Sequence, residues 1–101
     1  MAAIEIARFR VKDGAEEQML AERPAMVDAM RRRFPTYRES FLTKLDDGRW
    51  MDVVVWEDRA EAEAAAEGAY AYPEIVEWFR HLEDGGFEFE YADIRCATRI
   101  A

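Results

Sequence analysis

The sequence predicts an α+β fold in which helices cover one face of a four-stranded antiparallel sheet. Three observations support this prediction. Several short segments alternate apolar and polar residues as strands do, two other segments carry apolar residues at helical spacing, and two acidic capping signals mark expected helix starts. Two of the strands are separated only by Asp46-Asp47-Gly48, which indicates a hairpin and therefore an antiparallel pair.

The first strand is expected within residues 3–11, AIEIARFRV. Its apolar side chains change parity, because Ile4 and Ile6 occupy even positions whereas the later apolar residues occupy odd ones. Either a bulge near Ala7 or Arg8 shifts the alternation, or the strand is apolar on both faces.

The first helix is expected to begin at a capping signal formed by Asp13 and Glu16, and to end at Pro35. Pro24 lies inside this helix, where it removes one backbone hydrogen bond and clashes with the carbonyl group four residues earlier. We therefore expect a kink or a break just before Pro24.

The hairpin joins strands at residues 37–45 and 49–57, and Gly48 can adopt the positive φ that a tight turn needs. Successive side chains of the second strand point to opposite faces of the sheet. Both of its faces are apolar, with Trp50, Asp52, Val54 and Trp56 on one and Met51, Val53 and Val55 on the other.

Asp58 and Glu61 repeat the capping signal at the start of an alanine-rich helix. This helix is interrupted at Gly68 and by residues 70–73, YAYP. A second, short amphipathic helix is expected to follow and to end at Gly85-Gly86.

The last strand is expected in residues 87–100, FEFEYADIRCATRI, which form a long segment that also changes face. The resulting order of strands and helices is the split βαβ, ferredoxin-like arrangement, whose helices lie on one side of an antiparallel sheet. The other side would expose a contiguous apolar patch, which monomers rarely tolerate. A second copy would cover it, so we expect a homodimer that buries on the order of 1,500 Å² through its sheet faces.

The 101 residues are expected to form one domain, residues 1–101. The net charge of −8 repels phosphate groups, so neither nucleic acid nor a membrane surface is an expected partner. Charged residues interrupt the apolar N-terminus, which is unlike a signal peptide, and the expected location is cytoplasmic. One cysteine and one histidine are too few for a disulfide or a Cys/His zinc site, and we expect Cys96 to be buried.

The pattern IEIARFRVKDG, then FP, LDDG and VVVWEDRAEAEAAA, resembles the antibiotic biosynthesis monooxygenase superfamily of dimeric α/β barrels. The resemblance covers nearly the whole chain. It implies a homodimer with facing sheets and a pocket between sheet and helices in each subunit. Members of the superfamily include cofactor-free oxygenases of aromatic polyketides, haem-degrading enzymes and quinol oxygenases, and fold alone does not select among them.

The sequence departs from that pattern at two places. The oxygenases and haem degraders commonly place a polar residue, often asparagine, on the first strand, whereas this sequence contains no asparagine and offers Ala7 as the inward position. Haem-degrading members carry a tryptophan on the helix after the third strand, and here that helix reads EAEAAAEGAY. We therefore do not expect haem degradation.

Two side chains are candidates for proton transfer. His81 is the only histidine and has a suitable ordinary pKa, although a cation near a helix C-terminus also serves a purely structural role. Asp52 lies between two tryptophans and would be a base if it were desolvated. Alternatively, Asp52 pairs with Arg38, with Lys44 or with an arginine on another strand.

The ligand-binding candidates are Trp56 and Trp78 as walls for a flat aromatic ligand, and Tyr37 or Arg8 as the group that steadies an oxyanion. One hypothesis is a monooxygenase with no cofactor and no metal, which deprotonates a phenol or quinol that then reacts with dioxygen. The other is a non-catalytic homodimer that binds a small apolar molecule. An enclosed volume of several hundred Å³ with convergent polar groups would favour the enzyme.

Overall fold

The computed structural model describes residues 1–98, so the last residues of the predicted final strand lie outside the described part. Two short 3₁₀ helices, at Ala69–Ala71 and Glu77–His81, flank the third helix. The remaining elements are β1 (Ala3–Phe9), α1 (Glu16–Arg33), β2 (Tyr37–Lys44), β3 (Trp50–Trp56), α2 (Arg59–Gly68), α3 (Pro73–Val76) and β4 (Glu88–Asp93).

The four strands form one antiparallel sheet in the order β2-β3-β1-β4, which confirms the predicted ferredoxin-like α+β fold. Strand β1 lies at its centre and pairs with β3 and β4 without interruption. Strand β1 contains no bulge, so the second alternative, a strand that is apolar on both faces, is confirmed. Its odd-numbered residues, which include Glu5, are buried on the helix side.

Helix α1 begins at Glu16, and Asp13 does not cap it. Gly14 adopts a φ of +78°, and the N–H of Ala15 donates to the carbonyl of Lys12, so a turn separates Asp13 from the helix. The helix ends at Arg33, just before the predicted Pro35.

Helix α1 is not broken at Pro24, contrary to one of the two expected outcomes. Pro24 is exposed, and so is Leu20, whose carbonyl group loses its helical donor. Water can satisfy that carbonyl group, which lowers the cost of a proline at this position.

The β2–β3 hairpin has the predicted turn. The N–H of Leu45 donates to the carbonyl of Arg49 at 2.7 Å, and Gly48 has a φ of +88°. The ladder shifts register between Tyr37 and Glu39, which the sequence did not indicate.

Helix α2 begins after Asp58 as predicted, although the Asp58 side chain makes no capping hydrogen bond. The expected second helix is mostly 3₁₀ and ends at His81 instead of Gly85-Gly86. It ends early because Leu82 forms a β-bridge with Val11 and is buried.

Strand β4 is shorter than predicted, because its ladder partner β1 begins at Ala3, opposite Asp93. The chain then leaves the sheet after one more hydrogen bond, from the N–H of Ile94 to the carbonyl of Ala2. Cys96 is consequently exposed, and the expectation of a buried cysteine was wrong.

The helices pack on one face of the sheet, and the opposite face is left open. Phe41 on that face is 52% exposed. The register places the following apolar side chains on the same face, where they are only half-buried: Ile4, Ile6, Met51, Val53 and Val55. Within residues 1–98, no helix is long and apolar enough to cross a membrane.

Candidate functional site

A cavity of about 80 Å³ lies between the helix side of the sheet and the helices. Tyr70 and Phe89 line this cavity and are exposed, so they mark its open side. Its wall is largely aromatic and includes Phe9, Tyr37, Trp56, Trp78, Phe79 and Phe87.

Glu5 and Asp52 contribute carboxyl groups to the sheet wall of this cavity. Asp52 on β3 lies directly opposite Ala7 on β1. Ala7 is two residues after Glu5 on the same strand, so the carboxyl groups of Glu5 and Asp52 both point to the helix side. The small side chain of Ala7 leaves space between them. The cavity therefore combines an apolar aromatic wall with two acidic groups.

The Glu5 carboxyl group is buried and is held by two neutral donors. The indole N–H of Trp56 donates to Oε1 at 3.3 Å, and the hydroxyl of Tyr91 donates to Oε2 at 3.4 Å. Burial raises the pKa of Glu5 above its ordinary value of 4.5; the negative charge of Asp52 adds to this rise, and the two hydrogen bonds oppose it. Glu5 thus holds a proton more tightly than an exposed glutamate.

Asp52 is bound on both carboxylate oxygens by the guanidinium group of Arg23, at 2.7 and 2.8 Å. The same guanidinium lies 5.3 Å from the ring centre of Trp78 and 3.4 Å from the hydroxyl of Ser40. The predicted partners of Asp52 were wrong, because Arg38 pairs instead with Glu57 and Lys44 with Glu16. Asp52 faces the helices, so a helix supplies its cation.

The other aromatic donors are fixed and neutral. Tyr37 packs edge-on against Trp56 with ring centres 5.3 Å apart, and burial raises its pKa to about 12. The indole N–H of Trp78 donates to the carbonyl of Met19 at 2.9 Å. Tyr37 therefore remains a hydroxyl donor at neutral pH, and Trp78 is held in one orientation.

His81 does not line the cavity. It is buried against α1, with Nε2 3.2 Å from Oε1 of Glu22 and without hydrogen-bond geometry. Arg80 donates to both oxygens of Glu22, and these hydrogen bonds are the main cause that lowers the Glu22 pKa to about 2. The cluster of His81, Arg80 and Glu22 joins the 3₁₀ turn to α1.

Arg8 also lies away from the cavity, on the open face of the sheet, where it pairs with Glu90 at 2.9 Å. Of the six site residues predicted from sequence, the structure therefore brings together Asp52, Trp56, Trp78 and Tyr37, and separates His81 and Arg8 from them.

Sequence reasoning missed Glu5 and Arg23. A signal existed for Glu5, since it alternates with Ala3, Ala7 and Phe9 and these residues form one face of a strand. Arg23 lies four residues after Met19 and three before Met26, on the buried side of α1. Within residues 1–98, no group of three or more His, Cys, Asp or Glu side chains is placed to hold a metal ion.

A ferredoxin-like sheet with an aromatic cavity under its helices defines a class of small α+β proteins. The chain belongs to the antibiotic biosynthesis monooxygenase family, whose sequence model matches residues 2–87. No protein with a curated description matches it.

Solved structures share the fold at low sequence identity. One is a variant of SnoaB, a cofactor-independent oxygenase from Streptomyces nogalater, with 17% identity, 95% of each chain covered and a TM-score of 0.68. A protein from Nitrosomonas europaea, provisionally named an antibiotic biosynthesis monooxygenase, has 14% identity, 97% and 94% coverage and a TM-score of 0.70. A dimeric ferredoxin-like protein of unknown function from Jannaschia sp. CCS1 has 12% identity, 93% and 100% coverage and a TM-score of 0.65.

Proposed function

We propose that this protein binds a small aromatic molecule of the phenol, quinol or polyketide type in the cavity and oxygenates it without a cofactor. The observation that carries the proposal is the aromatic cavity with carboxyl groups on its sheet wall. Family membership and the fold shared with a cofactor-independent oxygenase support it.

The proposed reaction needs only the ligand and dioxygen. A cavity carboxylate removes a proton from the ligand, and the electron-rich anion that results is oxidised by dioxygen. In a doubly activated methylene group, one oxygen atom becomes the new carbonyl group, and the other leaves as water with the two hydrogens of the methylene. The ligand supplies all the electrons, so no external reductant is required.

The cavity residues have distinct proposed roles in this reaction. Trp56 and Trp78 confine the ring, and the protonated hydroxyl of Tyr37 donates to the oxygen on which negative charge develops. The cavity volume of about 80 Å³ is smaller than that of typical ligand pockets. A ligand with fused rings therefore extends through the open side, between Tyr70 and Phe89.

Oxygen uptake tests this function. Chelator-treated protein is incubated with anthrones, naphthols and quinols, and dioxygen consumption is followed with an electrode. Ala66 lines the cavity from α2, whereas Ala64 on the same helix is exposed. We expect Ala66→Leu to fill the cavity and lower turnover at least about 10-fold, and the matched Ala64→Leu to retain it. Absence of uptake with every compound, or equal rates in both variants, would refute the proposal.

We also propose that two chains associate through their open sheet faces. The half-buried apolar row on that face lacks any cover within residues 1–98 of one chain, and Phe41 is the most exposed member of the row. The dimeric protein from Jannaschia sp. CCS1 has the same fold, which supports this assembly.

A non-catalytic homodimeric domain that only binds a small molecule is the second candidate. The modest volume of the cavity favours it. In that case, tryptophan fluorescence would report saturable binding of the aromatic panel, and the protein would not increase oxygen uptake.

A further inference from the structure

We infer that Glu5 is the proton acceptor of the cavity, the residue that removes a proton from an acidic C–H or O–H bond of the bound aromatic ligand. This inference rests on the proposed function for the kind of ligand, and it assigns the catalytic base of that site.

The position of Glu5 suits this role. Strand β1 is paired on both sides, so the backbone that carries Glu5 is held in the centre of the sheet. The side chain lines the cavity, and only 9% of the residue is exposed. A base on such a strand is held in a defined orientation towards the ligand, which is a condition for efficient proton transfer.

The partners of Glu5 distinguish it from a structural carboxylate. Buried acidic groups are normally paired with a cation, because burying an unpaired charge is costly. Among residues 1–98, Glu5 is not in any ion pair, and its two hydrogen-bond donors, on Trp56 and Tyr91, are neutral and 3.3 and 3.4 Å away. Asp52, on the same wall, has a guanidinium on both oxygens. Glu5 is therefore the carboxyl group without a structural counter-ion.

The other titratable groups near the cavity are less suited to accept a proton. Both carboxylate oxygens of Asp52 are bound by the guanidinium group of Arg23 at 2.7 and 2.8 Å, so this carboxylate is engaged in a structural ion pair. Tyr37 keeps its proton, since burial raises its pKa to about 12. His81 lies outside the lining, against Glu22. Glu5 combines access to the cavity with a raised pKa, and a base works best when its pKa approaches the working pH.

The step consists of one proton transfer. The ligand C–H or O–H bond breaks, its proton moves to a carboxylate oxygen of Glu5, and the electron pair stays on the ligand, delocalised over the ring and its oxygen. Oxygenation is a separate, later event, so the proton transfer can be measured without dioxygen.

Deuterium exchange under argon tests the inference. Anthrone is incubated with protein in D₂O, and incorporation of deuterium at its methylene carbon is followed by mass spectrometry after subtraction of the buffer rate. We expect the protein to accelerate exchange and Glu5→Gln to lower the protein-catalysed rate about 100-fold or more. Glu67→Gln, the same change on the exposed surface of α2, should retain the rate.

The glutamine variant preserves the local contacts. Its amide oxygen can still accept from the Trp56 indole, and its amide nitrogen can donate to the Tyr91 hydroxyl, so the fold should survive. Circular dichroism during thermal unfolding checks this. Should the variant fail to fold, Glu5→Asp and the pH profile of the wild-type protein decide the question. The exchange rate of the wild-type protein should rise with pH through a midpoint above pH 4.5, and Glu5→Asp should keep part of the wild-type rate.

The outcomes separate this inference from the proposed function. Exchange that depends on Glu5 without any oxygen uptake supports the base and refutes the oxygenase. Oxygen uptake with full exchange in a folded Glu5→Gln variant refutes the base alone. No acceleration by the wild-type protein, or a rate independent of pH, also overturns the assignment of Glu5.

Discussion

Burial of Glu5 disfavours the ionised form of its carboxyl group in the folded protein. Its folded-state pKa is raised above 4.5 by burial, so the native state retains the proton over a range of pH in which the unfolded chain has released it. Over that range the native state binds more protons, and the free energy of unfolding falls as pH rises. The stability that results from the raised pKa of Glu5 is fully present below pH 4.5 and is lost as pH rises through the folded-state pKa.

Replacement of Glu5 by glutamine should remove this pH dependence. We expect Glu5→Gln to gain stability relative to the wild-type protein as pH rises from about 4 to about 8, while proton abstraction is lost. Urea denaturation across this range measures the difference. If the difference in free energy of unfolding were constant with pH, the pKa of Glu5 would not be raised.

The ion pair between Arg23 and Asp52 should be the costly one to break. Both side chains are largely buried, so Asp52→Ala leaves an unpaired guanidinium in the core and should destabilise the protein by about 3 kcal/mol. Asp93→Ala removes one of the two carboxylates that pair with Arg59 at a partly exposed site, and should cost less than about 1 kcal/mol. Equal losses in urea denaturation would show that burial does not distinguish the two pairs.

Strand alternation and helix periodicity were sufficient to place part of the site from sequence. Alternation along β3 placed Asp52 and Trp56 on one face, and both line the cavity. Glu5 was missed because β1 is apolar on both faces, and Ile4 and Ile6 lie on the face opposite Glu5. The partner of Asp52 could not be predicted, since it depends on how α1 crosses the sheet.

Local signals at the ends of elements were less informative than their spacing. The Gly48 turn was predictable, because a two-strand hairpin needs a residue with positive φ at that point. The acidic signal at Asp13 failed, because Gly14 forms a turn between Asp13 and α1. Strand β4 ends early because its neighbour β1 begins at Ala3, opposite Asp93. The sequence of β4 alone does not indicate where β1 begins.

Two glycines should respond in opposite ways to the same change. Gly48 has a φ of +88°, so Gly48→Ala strains the hairpin and should cost about 1 kcal/mol. Gly68 ends α2, and an added Cβ would meet the ring of Phe34 at 3.5 Å, an ordinary contact. We therefore expect Gly68→Ala to stabilise the protein by about 0.5 kcal/mol. Denaturant titrations of both variants measure the signs, and a stabilising Gly48→Ala would contradict the turn conformation.

Assembly is a property of the whole molecule and depends on the open face of the sheet. Phe41 on that face and Leu20 on α1 are both large, apolar and exposed. We expect Phe41→Asp to shift sedimentation velocity profiles from dimer to monomer, because a carboxylate would be buried without a partner in the interface. Leu20→Asp, the same kind of change on the helical layer, should leave the dimer intact. A wild-type protein that sediments as a folded monomer would refute the proposed dimer.

Isotope labelling directly follows the oxygen atom that the proposed reaction transfers from dioxygen to the ligand. Chelator-treated protein is given anthrone under ¹⁸O₂, and the product is examined by mass spectrometry. We expect the new carbonyl group to contain one ¹⁸O atom, and its formation to be lost when Ala66→Leu fills the cavity. A product whose new oxygen comes from water, or one that forms equally fast without the protein, would contradict the account.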